Sequence, residues 1–466
     1  QVSVQVREVS GEKRLVAYVT QSSDESAMRV VPDLIVHQVN KWNTVFDSIY
    51  DDTKGSLSGS FDFSGWLSSY DAQPIPLVEM LEWQRMTLER ICLLNPSQIY
   101  EIGCGTGLLL LELAKKVEFY VGSDFSRKTI ESLQDRVIGT GLSCVRLYHQ
   151  AADAPYPILE KPVDTIIINS VSQYFPDIEY FMGVINSCIN SLKNGGQIFL
   201  GDLRMLPLLE LQSVSVEHFK SEPDCSVGGL KERIRRRIRS EQELLISPEL
   251  FEYIRASNPA VTNIEMSCKR SIYSNEMSLF RYDVIIYVNK LDSQLPNSGE
   301  ILNYNAKHNP LSVSVLLELL NQGQSQILIN NIVNDRLYPA VNLMRRIYGG
   351  AEGDSLLSIR NAGSTDSDVV STPYIDQEVI YLLAESHGYD VTIMFSSKDP
   401  EIYLDAYFEK STNASRRAGI PIAFLFPENQ DKYTFDYSPF ANQPTVRESE
   451  QEYICLLYTS DAADDT

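Results

Sequence analysis

The chain has 466 residues, enough for about two or three domains with separate cores, and its 43% hydrophobic content is typical of a globular protein. A net charge of −22 at pH 7 argues against a general nucleic-acid-binding protein, because phosphate contacts dominate that affinity, and no window approaches the roughly 20 apolar residues of a membrane helix. The seven scattered cysteines lack metal-ligand spacing and no secretory leader is visible, which together predict a cytoplasmic protein with no membrane and no catalytic metal.

Two predicted regions precede the first motif. Residues 12–19 form an alternating strand with no partner nearby. Residues 30–95 are predicted to be helical, with aromatic side chains at intervals, and would cap the domain that follows.

The most informative stretch is a glycine-rich turn. An apolar strand ends at Glu101 and runs through Gly103, Gly105 and Gly107 into a predicted apolar helix from Leu108 to Leu113. This geometry aims helix N–H groups and a turn without side chains at a ligand. The dinucleotide fingerprint requires a small residue where this chain has leucine, so NAD and FAD are disfavoured. The pattern E-x-G-x-G-x-G is instead typical of S-adenosylmethionine-dependent methyltransferases, whose cofactor has no pyrophosphate.

Polar residues follow the next three predicted strands. They are Asp124 after strand 118–123, Asp153 after strand 143–149, and Asn169 and Ser170 at the end of strand 165–169. Asp124 lies at about the 20-residue offset from which a carboxylate can bind both hydroxyls of a ribose. Acidic residues at two successive strand ends strengthen the prediction of a nucleoside-type cofactor.

Strands and helices alternate at βαβ spacing over residues 96–290, which predicts a mostly parallel sheet covered on both faces. The segments 261–268 and 281–288 are predicted to form a closing hairpin. Within this region, residues 231–239 are densely basic. A helix with one buried stripe explains this run adequately, and a docking face for an acidic carrier domain is the alternative.

A polar linker at 292–299 is followed by a smaller α/β unit over residues 300–446. Its candidate strands are 326–330, 390–395 and 404–408. Residues 455–466 resemble a translated transposon adapter used in sequencing-library preparation, and the alternative is a genuine acidic tail. We therefore expect these residues to lie outside the fold, and the chain to be a truncated piece of a longer protein.

With these segments placed, the stretch from about Val39 to Val288 resembles the N-methyltransferase domain embedded in adenylation domains of nonribosomal peptide synthetases. The resemblance is carried by segments 63–76, 100–107, 169–176 with 201–204, and 275–282, the last of which reads N-E-M-S-L-F-R-Y against N-E-L-S-x-Y-R-Y. The strand K-R-L-V-A-Y-V near the amino terminus is similar to the start of the adenylation C-terminal subdomain, so residues 1–22 are predicted to be a fragment of it. A further family motif is only faintly echoed at 391–405.

The resemblance implies an α/β fold with a Rossmann-like class I methyltransferase core, a helical N-terminal cap and a smaller C-terminal α/β accessory subdomain. It also implies a reaction: S-adenosylmethionine methylates the α-amine of an aminoacyl thioester held on the phosphopantetheine arm of a carrier domain. The adenylation domain of the same chain would be the second partner. Methylation at carbon or oxygen in a hybrid synthetase, and a vestigial module without catalysis, remain open alternatives.

The implied cofactor-binding residues are Glu101, Gly103, Gly105, Gly107, Asp124, Phe125, Asp153, Asn169 and Ser170. Glu101 would organise the turn and the methionine amino group, Asp124 would bind ribose, and Asp153 would bind the adenine edge. The alternatives are that the first two carboxylates complement a helix dipole and that Asp153 begins a turn.

The implied catalytic residues are Tyr174, Asp202 and Arg204. Asp202 could accept a hydrogen bond from the amine, while Arg204 could hold it in place or contact the carrier arm; alternatively the two residues only fasten two loops together. Trp66 and Tyr70 could form an aromatic lid over the sulfonium, although aromatics at this spacing are more often part of a core.

Overall fold

The structure is a computed structural model. It describes residues 2–9, 12–19, 41–42, 63, 65–157, 162–290, 301–362, 375–411, 419–426 and 437–444. The predicted linker at 292–299 and the predicted adapter-derived tail at 455–466 lie outside these residues, as do 20–40 and 43–62 of the amino-terminal region.

An antiparallel hairpin opens the described chain. Strand β1 (Val2–Val9) pairs with β2 (Glu12–Val19) along its whole length, with Val2 opposite Val19 and Val9 opposite Glu12. The prediction that the second strand has no partner is therefore wrong. Its partner directly precedes it in sequence, at the spacing that a two-residue hairpin loop requires.

The main sheet contains eight described strands. They are β3 (Gln98–Ile102), β4 (Phe119–Asp124), β5 (Val145–His149), β6 (Thr165–Asn169), β7 (Gly196–Arg204), β8 (Val261–Cys268), β9 (Arg281–Val288) and β14 (Ile420–Pro421). Their spatial order is β14-β8-β9-β7-β6-β3-β4-β5. The five strands from β3 to β7 are parallel to one another, and β9, β8 and β14 continue the sheet in antiparallel pairs. The predicted closing pair, β8 and β9, is confirmed in both bounds and pairing.

Both faces of the sheet are buried at its central strands, which explains the apolar run of β6, whose five residues are all buried. Neighbouring residues of one strand enter different clusters: Tyr100 and Ile166 pack on one face, whereas Ile99 and Ile167 pack on the other. Strand order reverses between β3 and β6, so the carboxyl ends of these two strands diverge into a crevice. The Rossmann-like core is thereby confirmed.

Helices cover both faces of the sheet. They are α1 (Leu77–Leu93), α2 (Leu110–Leu113), α3 (Arg127–Thr140), α4 (Ile178–Ser191), α5 (Leu209–Phe219), α6 (Val227–Arg239), α7 (Glu249–Ser257) and α8 (Glu276–Phe280). Two predictions need correction here. The helix after the glycine turn has only four residues and begins at Leu110, and the described residues between 63 and 76 form turns and a bridge rather than a helix.

The carboxyl-terminal unit has its own four-stranded sheet. Its strands are β10 (Leu302–Asn305), β11 (Gln326–Val333), β12 (Tyr389–Phe395) and β13 (Tyr403–Lys410), in the order β10-β11-β13-β12. Its helices are α9 (Val313–Asn321), α10 (Tyr338–Gly349), α11 (Leu356–Ala362) and α12 (Gln377–Ser386), followed by the short α13 (Ile422–Leu425). Three of its strands were predicted; β10 was missed.

This unit is fastened to the main sheet at several points. Arg270, just after β8, forms ion pairs of 2.6 Å with both Glu378 and Glu385 of α12. Residues 420–421 add the edge strand β14 beside β8, and Ala441 forms a bridge with Ile246. In the part of the chain that the structure describes, no helix is long and apolar enough to cross a membrane.

Candidate active site

A cavity of about 380 Å³ opens at the carboxyl ends of the parallel strands. Its wall contains the glycine turn after β3, the residues that follow β4, β5 and β6, and the end of β7. This volume lies in the usual range for small-molecule sites. Glu101, Asp124, Asn169 and Ser170, four of the strand-end residues predicted from the sequence, therefore lie in one cavity wall, as the switch point of a parallel sheet predicts.

The glycine turn leaves no room for side chains at two of its positions. A Cβ on Gly103 would lie 2.3 Å from Val171 Cγ2, and a Cβ on Gly107 would lie 2.5 Å from Leu133 Cδ1. All three glycines have positive φ, between 49° and 83°. Gly103 and Gly105 form part of the cavity wall, whereas Gly107 packs behind it against α3. Glycine is therefore required at position 107 for packing rather than for ligand approach.

Glu101 and Asp124 are the two acidic residues of the wall nearest the turn. Glu101 is 3% exposed and accepts a 2.8 Å hydrogen bond from the Tyr120 hydroxyl; burial raises the pKa of its carboxyl to about 8. Asp124 ends β4, and its carboxylate accepts backbone N–H groups of Gly105 (3.0 Å) and Ser126 (2.9 Å). Each carboxylate oxygen has two lone pairs, so Asp124 retains acceptor capacity towards ribose hydroxyls.

Asp153, predicted to bind the adenine edge, does not lie in the cavity wall. That residue is exposed, and its carboxylate accepts a 2.9 Å hydrogen bond from the Tyr180 hydroxyl. Tyr180 itself lines the cavity, as do Phe125 and Gln150. A contact of Asp153 with an adenine edge would therefore have to be made at the rim or through Tyr180.

Asn169, Ser170 and Tyr174 lie in the wall at the end of β6 and in the turn after it. The Asn169 side chain is 8% exposed, and its Oδ1 is buried without a hydrogen-bond partner among the described residues, while its Nδ2 donates to Ser170 Oγ. The ring of Tyr174 packs 4.7 Å from that of Trp42. Burial raises the pKa of the Tyr174 hydroxyl, which therefore stays protonated and is not a general base.

Asp202 does not reach the cavity, contrary to the prediction that it contacts the amine. It is fully buried, and its carboxylate forms a 2.8 Å ion pair with Lys269 and accepts hydrogen bonds from Trp83 Nε1 (2.9 Å) and Ser170 Oγ. Burial alone would raise its pKa, but Lys269 and Arg281 outweigh burial and hold that pKa below its ordinary value. The carboxylate therefore stays ionised behind the wall.

The backbone explains how Asp202 is turned away. Its φ is +62°, at a bulge in the pairing of β7 with β9, and its N–H donates to Asp283 Oδ1 at 3.0 Å. Ser170, which faces it, also has positive φ (+57°). Ser170 in the wall and Asp202 behind it are thus two strained non-glycine residues joined by a hydrogen bond between their side chains.

Arg204 does line the cavity, but it pairs with other residues than Asp202. Its guanidinium binds Glu241 at 2.9 Å, Glu243 at 2.8 Å and Gln212 at 3.0 Å. Because the predicted Asp–Arg pair does not form, that alternative is wrong as well. Glu241 and Glu243 were missed because nothing in the sequence marks them as partners of a strand 40 residues earlier.

Aromatic residues form another part of the wall. Trp66 lines the cavity and packs on Trp83, with ring centroids 5.0 Å apart. Tyr70 instead bonds to Ser215 and packs edge-on against Phe219 of α5, away from the cavity. Of the two suggested lid residues, only Trp66 is placed to contact a ligand; Trp83 was not singled out from the sequence.

The sequence is similar to those of known methyltransferase domains and peptide synthetases. Residues 99–196 match the profile of a family described as a methyltransferase domain. The chain is 37% identical over 277 residues to chondramide synthase of Chondromyces crocatus and 32% identical over 346 residues to nonribosomal peptide synthetase dtxS1 of Metarhizium robertsii. These matches cover 59% and 69% of this chain but only 7% and 4% of those relatives, so the chain spans a small part of their length.

Among solved structures, the N-methyltransferase NodS from Bradyrhizobium japonicum, in complex with S-adenosylhomocysteine, has a TM-score of 0.31 at 16% identity, covering 44% of this chain and 87% of that one. The plantazolicin methyltransferase BpumL has a TM-score of 0.33 at 15% identity, and the match covers 56% of this chain and 99% of BpumL.

The wall of the cavity fits the predicted cofactor. The turn that excludes a Cβ at Gly103, the Asp124 carboxylate at the next strand end and the buried Glu101 carboxyl give the wall the shape and polar groups that can accommodate a methionine-bearing nucleoside. In the described residues, no group of histidine, cysteine, aspartate and glutamate side chains could hold a metal ion. The chain therefore carries an S-adenosylmethionine-dependent methyltransferase domain and is related by sequence to nonribosomal peptide synthetases.

Proposed function

We propose that the domain methylates the α-amine of an aminoacyl thioester held on a carrier domain during nonribosomal peptide synthesis. One observation favours a nucleophile with its own hydrogen-bond donor, such as an amine, over a carbon nucleophile: the Asn169 amide oxygen is buried in the wall without a partner among the described residues. A neutral amine has N–H groups to donate to such an acceptor while its lone pair remains free. An enolate carbon offers no N–H or O–H donor of this kind.

The position of this acceptor is fixed from below by the backbone of β7. A Cβ added to Gly201 would lie 1.9 Å from Asn169 Oδ1, so the amide oxygen rests directly on a glycine. Gly201 is opposite Asn169 in the pairing of β6 with β7. A larger residue at position 201 would push the acceptor out of place.

When bound, the cofactor supplies a methyl group on a sulfonium, and that carbon–sulfur bond breaks as the amine nitrogen forms the new carbon–nitrogen bond. The residues of this chain have to align the amine and keep it neutral. Asn169 holds one N–H and so directs the lone pair away from itself. Because an α-amino group has a pKa of about 8, a modest fraction is already neutral at pH 7 and no strong base is required. One proton leaves the nitrogen to solvent.

The partners are part of the proposal. An aminoacyl thioester implies a phosphopantetheinylated carrier domain, and an adenylation domain of the same chain to load it; the sequence relation to peptide synthetases supports both. On α6, Arg235 has a side chain 61% exposed, whereas Ile234 is buried, so a solvated helix with one buried stripe and a docking face are both compatible with its geometry. The free cysteines of the described residues support the proposed cytoplasmic location.

The test uses the full chain with S-adenosylmethionine and an aminoacyl pantetheine thioester. Mass spectrometry of the product should place one methyl group on the nitrogen. Titration with S-adenosylhomocysteine should show binding in the wild type and in the Asn169→Ala variant, while this variant loses turnover. A methyl group on carbon or oxygen, or cofactor binding without transfer to any amine, would refute the proposal. Absence of cofactor binding would instead support a vestigial module.

A further inference from the structure

Arg281 opens β9 and lies directly opposite Arg204 in the antiparallel pairing with β7. Two like charges in directly opposed positions repel each other, so each needs compensation. Arg204 obtains it from the carboxylates of Glu241 and Glu243. Among the described residues, no carboxylate forms a salt bridge with Arg281; the ionised Asp202 carboxylate compensates its charge only without direct contact.

The Arg281 guanidinium is also incompletely bonded. Its Nη1 is buried and has no hydrogen-bond partner among the described residues, although the side chain lines the cavity. A buried N–H without a partner is unfavourable, and a ligand oxygen in the cavity would relieve that cost. Arg281 Nη1 is therefore a hydrogen-bond donor that a ligand could satisfy.

The placement of Arg281 separates it from the cofactor subsite. The glycine turn and Asp124 follow β3 and end β4, whereas Arg281 lies on β9, which β6 and β7 separate from β3 in the sheet. Asn169 lies between them at the end of β6. Along the wall, an unused acceptor is thus followed by an unused donor.

An aminoacyl thioester presents the matching groups: an amine that donates and, on the adjacent carbon, a carbonyl that accepts. We propose that Arg281 Nη1 donates a hydrogen bond to the thioester carbonyl oxygen while Asn169 receives the amine. This proposal rests on the proposed function and adds the residue that recognises the acyl group.

The charge of the wall favours a neutral acyl group over a free carboxylate. Asp124, Glu241, Glu243 and Glu276 line the cavity with Arg204, Arg237 and Arg281, so arginine charge is already matched or exceeded by carboxylates. An amino acid with a free carboxylate would add another negative charge. The site should therefore discriminate between the thioester and the unloaded amino acid.

The experiment combines a variant with a change in substrate. Wild type and Arg281→Met are assayed with an aminoacyl pantetheine thioester and with its analogue in which a methylene replaces the carbonyl. The variant should lose about 10- to 100-fold in kcat/KM on the thioester, the range for a hydrogen bond to a charged group, and show little further loss on the analogue. The different basicity of the analogue's amine affects both proteins equally and cancels in the ratio.

Two controls accompany this cycle. Arg85→Met removes an exposed arginine, 59% accessible and paired with Glu89, and should leave both substrates unaffected. Binding of S-adenosylhomocysteine to Arg281→Met should match that of the wild type. If Arg281→Met does not fold, Arg281→Lys takes its place, and it should lose less on the thioester because it keeps a cationic donor.

The outcomes distinguish this proposal from the proposed function. If the wild type methylates no amine, the proposed function fails, and the role of Arg281 fails with it. If the wild type methylates the thioester but the variant loses equally on both substrates, or loses nothing, only the role assigned to Arg281 is refuted. Equal wild-type turnover of thioester and free amino acid would refute the discrimination argument.

Discussion

A matched pair of glycine substitutions tests the cofactor subsite. Gly103 and Gly141 have nearly the same φ, +74° and +70°, so an alanine at either position incurs a similar left-handed strain of about 1–2 kcal/mol. Only Gly103 also meets an obstacle: its Cβ would lie 2.3 Å from Val171 Cγ2, whereas a Cβ on Gly141 has open space.

Relieving that contact requires Val171, a residue of the cavity wall, to move by about 1 Å or more, and such overpacking costs about 1–3 kcal/mol. If this cost falls on the conformation that binds ligand, Gly103→Ala should bind S-adenosylhomocysteine about 5- to 150-fold more weakly. Isothermal titration measures this, and thermal melting measures the strain common to both variants. Equal affinity in Gly103→Ala and wild type, or an equal loss in Gly141→Ala, would refute the assignment of this cavity.

Three further predictions concern residues around the cavity. Asp202→Asn and Lys269→Met should each lower the melting temperature, because breaking a buried ion pair costs about 3–5 kcal/mol. The loss should be smaller in Asp202→Asn, where Lys269 keeps Asp283 as a partner. A loss of turnover in Asp202→Asn without destabilisation would instead show that Asp202 contacts the substrate. Burial raises the pKa of Glu101 from 4.5 to about 8, so the ligand-free protein should lose stability as pH rises from 5 to 8, and Glu101→Gln should remove that dependence; an unchanged pH profile of melting would refute the raised pKa. Asn442→Ala should raise KM for the thioester without changing cofactor affinity. The Asn442 side chain accepts a hydrogen bond from Leu245 N–H and donates one to the Glu243 carbonyl, each at 2.8 Å, and so supports the loop whose Glu243 carboxylate holds Arg204. An unchanged KM would show that the loop needs no such support.

The regular parts of the fold could be predicted because their signals are local. Strand 165–169 is a short apolar run ending in a polar pair. Segment 281–288 is rich in valine, isoleucine and tyrosine, and segment 261–268 alternates apolar and polar residues from 264 onwards, so their bounds were predicted correctly. The helix after the glycine turn was overextended because the run of residues 108–113 is apolar at nearly every position and has no period to mark its start.

The predicted catalytic pair shows where local reasoning ends. Asp202 and Arg204 are two residues apart on one strand, and the alternation of a regular strand puts them on the same face. A bulge and a positive φ at Asp202 break that alternation. The residues that hold it there, Lys269 and Asp283, are distant in sequence, and no pattern near Asp202 indicates them. Arg281 belonged to a recognised motif, but its unused donor became visible only in the cavity.

The two-residue strand β14 has a consequence for how this enzyme is made. Residues 420–421 pair with Glu265 and Met266 at the outer edge of β8, and Ala441 reaches the loop that carries Glu243. A protein shortened after β9 would expose an open strand edge, a template for pairing with other molecules. During synthesis on the ribosome, the parallel strands can assemble early, but the sheet stays unfinished until its last piece emerges. The carboxyl-terminal unit must therefore be synthesised before this part of the β8 edge is protected from pairing with other molecules.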